Sequence, residues 1–261
     1  MNGSYQFEKL ESRFEEASLL AERAQMRLEG FTELLDRHGF PHHGRALDVG
    51  CGHGIRSELM AKHRPGVEVL GIDRSSELLE LVNAKTSLSN LAFQKADLYE
   101  LPFADQSFDF IYSRLVFMHL TDPLAALNEL KRVLKPGGRI LIEDADRDCM
   151  LFEPVPSGFP EYWKKIQEGQ RNLGGDPNVG RRLARYLRKM QFNGVKIEIQ
   201  PYVGTGKDVE FLARSLFPSL NCYLKEEDRK EGDEMVYKLF EFAKTPEASV
   251  YHFWFVVSGV N

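Results

Sequence analysis

The chain has 261 residues, 43% hydrophobic and 28% charged, the proportions of a globular protein able to bury a sizeable core. Its 34 Lys and Arg against 39 Asp and Glu leave a net charge of -5, which argues against a nucleic-acid partner. The three cysteines, Cys51, Cys149 and Cys222, form neither a disulfide framework nor a zinc spacing, so reduced thiols and no metal are expected.

The N-terminal stretch MNGSYQFEKLESRFEEASLL is interrupted by acids and lacks the form of a signal peptide. No apolar run approaches the roughly 20 residues of a membrane span, so a cytoplasmic protein is expected. Phe7, Leu10, Phe14 and Ala17, then Leu28, Phe31 and Leu35, recur at helical steps before Gly39 and Pro41. From Ala46 the period changes. ALDVG reads as a strand and IRSELMAKH as a helix; VEVLGID is a second strand, ending at Asp73. SSELLELVNAK begins with Ser75 and Ser76 as N-cap candidates. LAFQKADL is a weak strand and FDFIYSRLV a stronger one. DPLAALNELKRVLKPGG predicts a helix capped by Asp122, with Leu124, Leu127, Leu130 and Leu134 on its apolar face and Pro136-Gly137-Gly138 as its stop. RILIEDAD follows as a buried strand. Strands alternating with helices imply parallel βαβ units.

Beyond Asp146 the pattern loosens into the aromatic stretch MLFEPVPSGFPEYWKKI, from Phe152 to Trp163. A glycine-rich loop precedes the helix carrying Arg181, Arg182, Arg185, Arg188 and Lys189, read as a solvated basic face. VKIEIQ alternates with Val195, Ile197 and Ile199 on one face, residues 207–245 read as helices, and SVYHFWFVVSGV is a long final strand.

The informative segment is RALDVGCGHGIRSELM. Asp48, Gly50, Gly52 and Gly54 lie where the first strand turns into the first helix, and glycine permits positive φ and close approach of a ligand. The helix N-terminus beyond favours an anionic group. A dinucleotide fingerprint counted from Gly50 needs its third glycine at position 55, which is Ile55. Cys51 and His53 are read as loop residues that supply backbone amides, not as metal ligands.

LDVGCGHG resembles motif I of class I S-adenosylmethionine-dependent methyltransferases. Asp73 and the segment KADLYELPFADQSFDFIYSRLVFMHLTDPLAALNELKRVLKPGGRILIED are similar to the family's following elements. The resemblance is to the small-molecule, type 11/25-like branch. It implies an α/β Rossmann-like fold: a seven-stranded, mostly parallel sheet of order 3-2-1-4-5-7-6, last strand antiparallel, with helices on both faces. It further implies a single domain over 1–261: a helical cap (1–44), a cofactor-binding core (45–145), a lid (146–193) and completion of the sheet (194–261). The implied cofactor is S-adenosyl-L-methionine, leaving as S-adenosyl-L-homocysteine. Its implied contacts are Asp48, Gly50, Cys51, Gly52, Gly54, Asp73, Arg74, Asp97, Leu98, Ser113 and Arg114. Asp73 would hold the ribose hydroxyls and Asp97 the adenine amino group, with Leu98 beside the ring. Ser113 and Arg114 would border the methionine end.

The implied activity is methyl transfer to an O, N or C atom of a small molecule by in-line displacement. Expected partners are that substrate alone, with no nucleic acid and no membrane span, in a monomer or homodimer. An NAD-dependent oxidoreductase and a non-catalytic S-adenosylmethionine-binding protein are the alternatives. His119, Asp144 and Asp146, near strand ends, are candidates for a general base, and His119 has the ordinary pKa closest to neutrality. The aromatic stretch is expected to lie over the cofactor crevice as a lid, together with the N-terminal helices.

Overall fold

A computed structural model of the chain describes residues 3–4, 19, 21–25, 28–84 and 87–261. The helix expected over Phe7 to Ala17 lies outside the described residues. Residues 21–24 are helical. The numbered elements then run α1 (Phe31–Arg37), β1 (Gly44–Val49), α2 (Ile55–His63), β2 (Val67–Asp73), α3 (Ser76–Asn83), β3 (Leu91–Lys95) and β4 (Phe108–Arg114). A short 3-10 turn, Phe117–His119, leads to α4 (Pro123–Val133), β5 (Leu134–Glu153), α5 (Phe159–Asn172) and α6 (Leu183–Lys189). The chain continues through β6 (Asn193–Thr205), α7 (Gly206–Ser215), α8 (Phe217–Leu220), α9 (Arg229–Ala243) and β7 (Ser249–Val260).

The seven strands form one sheet of order β3-β2-β1-β4-β5-β7-β6. β1 pairs in parallel with β2 and β4, β2 with β3, and β4 with β5, while β7 runs antiparallel to both β5 and β6. Alternation of side chains divides the core between the two sheet faces. Leu47, Ile111 and Ile140 meet Leu127 and Leu130 of α4 on one face. Ala46, Phe110 and Leu141 meet Phe31 and Leu35 of α1 and Met60 of α2 on the other.

The Asp122 carboxylate caps α4 by accepting from the N–H groups of Leu124 (3.1 Å) and Ala125 (3.0 Å), and Pro123 occupies the first helical position. The helix stops at Val133, earlier than expected. Leu134 is already extended and pairs with Phe108, because Lys135 precedes Pro136 and is steered away from helical geometry.

β5 is the longest strand, at 20 residues. It borders β4 with its first part and β7 with both parts, and its pairing with β7 breaks register between Ala145 and Met150. The residues in that break, Asp146 to Cys149, are bulged out of the ladder. Past it, Phe152 enters a second apolar cluster with Phe159, Tyr162 and Trp163 of α5, Phe217, and Leu239 of α9. The aromatic stretch is therefore the core of the C-terminal half rather than a lid. Phe152 meets Phe159 edge-on at 4.7 Å between centroids, and Phe159 stacks on Trp163 at 5.4 Å.

On the apolar face of β6, Val195 packs against the core while Ile197 is 52% exposed and Ile199 46%. The polar face is drawn inward by α1. Arg37 donates to Glu198 (2.9 Å), and the His38 ring lies 3.2 Å from the same carboxylate.

Leu127 is fully enclosed, whereas Leu81 stands 42% exposed on α3. Leu127→Ala is expected to destabilise the protein by about 2–5 kcal/mol, and Leu81→Ala to stay within about 0.5 kcal/mol. Urea unfolding of the two variants beside the parent chain provides the comparison.

Candidate functional site

The loop after β1 is held by backbone bonds from Cys51 N–H to the Ile72 carbonyl and from Gly54 N–H to the Cys51 carbonyl, both 2.9 Å. Its three glycines have φ of 66°, 52° and 68° at Gly50, Gly52 and Gly54. Each answers a different constraint. A Cβ at Gly50 would run into Val116 Cγ2, and one at Gly54 would meet Phe93 Cζ at 2.6 Å and Val82 Cγ1 at 2.7 Å. A Cβ at Gly52 would find, beyond its chain neighbours, no atom of the described residues within 4 Å.

Asp73, at the end of β2, completes the loop. Its Oδ2 accepts from Gly52 N–H (3.0 Å) and its Oδ1 from Ser75 N–H (2.9 Å), while the Ser75 hydroxyl caps α3 through Leu78 N–H (3.3 Å). Burial raises the Asp73 pKa, and the backbone donors oppose that rise. With the Arg74 N–H as a further backbone donor, the carboxylate still keeps acceptor capacity.

A cavity of about 350 Å³ opens in front of this loop. Gly50, Cys51 and Gly52 line it, as do Asp73, Arg74, Asp97, Leu98 and Arg114. Asp97 is fixed by accepting from Tyr99 N–H (2.9 Å). Burial pushes the Cys51 thiol well above its usual range, which leaves it unreactive. Arg114 pairs with Glu143 (3.3 Å) and lies 4.7 Å over the Trp254 ring, with burial lowering its pKa to about 10.

Three residues assigned to the cofactor are not on the cavity wall. Asp48 lies beneath the loop, where its Oδ2 accepts from the Ser57 hydroxyl (2.5 Å) and burial raises its pKa to about 7. Gly54 serves helix–sheet packing, as its neighbours Phe93 and Val82 show. Ser113 is fully enclosed in β4, its hydroxyl without a hydrogen-bond partner.

The far end of the cavity is built from other elements. His119 ends the 3-10 turn after β4; its Nδ1 lies 3.0 Å from the Ser4 hydroxyl and 3.3 Å from that of Tyr223. Burial lowers its pKa to about 3, helped by the positive charges of Arg147, Arg74 and Arg23. The imidazole is therefore neutral and a weak base. Asp144 does not reach the cavity: it accepts from Met118 N–H (3.2 Å) and Ala145 N–H (2.8 Å), fixing the turn that carries His119. Asp146 is also committed elsewhere, to Arg181 and to Asn178 (2.9 Å). Arg181 stays 46% exposed on the solvated basic face while making this ion pair, as does Arg182, 44% exposed, with Asp176 (2.6 Å).

Residues 47–142 match the family model of a methyltransferase domain. Over those residues the chain is similar to methyltransferase domains. It is 34% identical over 199 residues to an uncharacterized methyltransferase of Schizosaccharomyces pombe, spanning 71% of this chain and 64% of that protein. It is 42% identical over 125 residues to a demethylmenaquinone methyltransferase of Staphylococcus aureus, spanning 47% and 51%. Both matches thus leave a third or more of the relative's length unmatched. The fold resembles that of Haemonchus contortus phosphoethanolamine N-methyltransferase 2 solved with S-adenosyl-L-methionine, with a TM-score of 0.62 at 20% identity over 98% of this chain and 60% of that one.

Sequence reasoning missed Arg23, Arg147, Ser219 and Tyr223, all on the cavity wall. They come from segments that no local motif marks. Arg23 donates to the Ser219 hydroxyl (2.7 Å), which ties the helical residues 21–24 to α8.

The neutral, buried His119 makes stability depend on pH. Its folded-state pKa, near 3, lies below the ordinary 6.5, so the unfolded chain binds the extra proton and stability falls as pH drops through that window. His119→Gln is expected to reduce the slope by up to about 1.4 kcal/mol per pH unit. Denaturant melts at several pH values between 3.5 and 7 (roughly the linkage window) measure this against the parent protein.

Proposed function

We propose that the protein is an S-adenosylmethionine-dependent methyltransferase acting on a small-molecule acceptor. The observation that carries this reading is the Gly52–Asp73 pair opening onto the cavity. A carboxylate bonded to the glycine loop and still able to accept suits two vicinal hydroxyls. The space before Gly52, free of other described residues, admits a ligand at backbone contact distance. Asp97 and Leu98, further along the same wall, offer an acceptor and an apolar surface for a base. These residues fit the cofactor. When bound, it supplies an electrophilic methyl group on a sulfonium.

The chain's own part is then alignment and exclusion of water. Gly3, Leu220 and Tyr223 close over the acceptor side, and the enclosed volume of about 350 Å³ favours a small molecule over a polymer. With a pKa near 3, His119 is a poor proton acceptor. We assign it an orienting role through Tyr223 and Ser4. The acceptor on this reading arrives already nucleophilic, as a neutral amine, an enolate or a phenolate. The demethylmenaquinone methyltransferase likeness fits a small acceptor of this kind.

Calorimetric titration with S-adenosylmethionine, S-adenosylhomocysteine and NAD tests the cofactor. Saturable binding of the two adenosyl ligands without NAD is expected, and binding of NAD alone would overturn the reading in favour of an oxidoreductase. Asp73→Ala should weaken the adenosyl ligands by about 1–3 kcal/mol, as for other charge-assisted bonds. Gly52→Val should abolish their binding while the circular dichroism spectrum persists.

A further inference from the structure

Arg147 is the charged group for which the methyl-transfer reading has no use. It sits in the bulge of β5, where the chain leaves the ladder and redirects its side chains. Only 6% of it is exposed, and it lines the cavity. Its backbone is pinned at both ends, by the N–H donating to the Pro177 carbonyl (2.9 Å) and the carbonyl accepting from Trp163 Nε1 (2.8 Å). Its Nε donates to Gln170 Oε1 (2.8 Å), and Gln170 Nε2 donates in turn to the Met118 carbonyl (2.9 Å). The guanidinium lies between two rings, 5.3 Å from the Trp163 centroid and 5.9 Å from that of Tyr223. This is a rigidly held cation.

It has no carboxylate within ion-pair distance among the described residues. The acid whose charge reaches it is Asp144, which is committed to the Met118 and Ala145 amides. With Nε occupied, the two Nη groups carry the remaining donors. A desolvated cation without a partner is unfavourable by itself, and an anion brought by a ligand relieves it. The rest of the cavity agrees. Among the described residues its lining carboxylates are Asp73 and Asp97, both on the cofactor side, against Arg23, Arg74, Arg114 and Arg147. Arg147 lies within β5, two strand positions from β1 and its glycine loop, a separation of roughly 10 Å. That distance sets it on the acceptor side.

We propose that Arg147 is an anion-binding residue for the acceptor, which carries an oxyanion, a carboxylate or a phosphoryl group, that docks against the Nη groups beside Tyr223. The proposal rests on the methyltransferase reading for the word acceptor, but the anion site itself can be read without turnover.

The test is calorimetry with benzoate, phenyl phosphate and neutral benzamide on the parent protein, Arg147→Met and Arg147→Lys, each with and without S-adenosylhomocysteine. At least one oxyanion probe should bind the parent protein and benzamide should not; which of the two binds distinguishes carboxylate from phosphoryl recognition. Arg147→Met should weaken that probe by roughly 30-fold or more and Arg147→Lys by less, with affinity for S-adenosylhomocysteine unchanged. Equal binding of benzamide, or no oxyanion binding to the parent protein, would overturn the proposal. So would a loss of S-adenosylhomocysteine affinity in Arg147→Met matching the probe's loss, which would make Arg147 a cofactor contact. If S-adenosylhomocysteine fails to bind the parent protein while an oxyanion does, the methyltransferase reading fails and the anion site stands. Should Arg147→Met not fold, Arg147→Lys and Gln170→Leu, which frees Nε, carry the same comparison.

Discussion

β5 has to satisfy two sheets' worth of neighbours at once. It lies parallel to β4 on one side and antiparallel to β7 on the other, and its later half borders β7 but not β4. A single continuous register cannot serve both halves. The ladder with β7 breaks between Ala145 and Met150, and the four residues between are turned out of it. Asp144, just ahead of the break, bonds the turn bearing His119; Asp146 anchors the 176–181 loop; Arg147 faces the cavity. The far wall of the site is a by-product of that mismatch.

The near wall has a different origin. Parallel strands deliver their carboxyl ends to one edge of the sheet, so the loop after β1, Asp73 after β2 and Asp97 after β3 converge without long-range adjustment. Gly52 and Asp73 share one hydrogen bond, and with it the β1 loop is fixed to its neighbour. The site thus joins a half built by topology to a half built by a local defect. The first suits a cofactor used with many acceptors, the second an acceptor specific to this chain.

This division explains what could be read from the sequence. The βαβ alternation, the capping by Asp122 and Ser75, and the Gly50–Asp73–Asp97 series are local patterns, and the sheet order follows once the family likeness is granted. A bulge has no signature in DRDCM, so Arg147 could not be told from a surface arginine. Asp144 and Asp146 sit at the right place in the sequence for catalysis, but their partners, Met118 and Arg181, come from distant segments. The alternation of β6 is legible, but which face turns inward depends on Arg37 and His38, far away in the chain. The aromatic stretch likewise found Phe217 and Leu239, which its own periodicity does not reveal.

The place of β7 bears on the order of folding. It lies between β5 and β6, both of which precede it in the chain, and its pairs with β5 run from Glu153 with Ser249 to Arg139 with Val260, roughly a hundred residues apart. Contacts so distant in sequence carry a large loop-closure entropy and form slowly. Until β7 arrives, the two strands it joins present open edges, and the register break that turns Arg147 inward has no partner strand to define it. The glycine loop can assemble early from β1, β2 and β4, with the opposite wall following only after β7 has inserted. A nascent chain would then hold the glycine-loop wall of the cavity before the opposite wall, and through that interval its unpaired strands would be exposed to association with other chains.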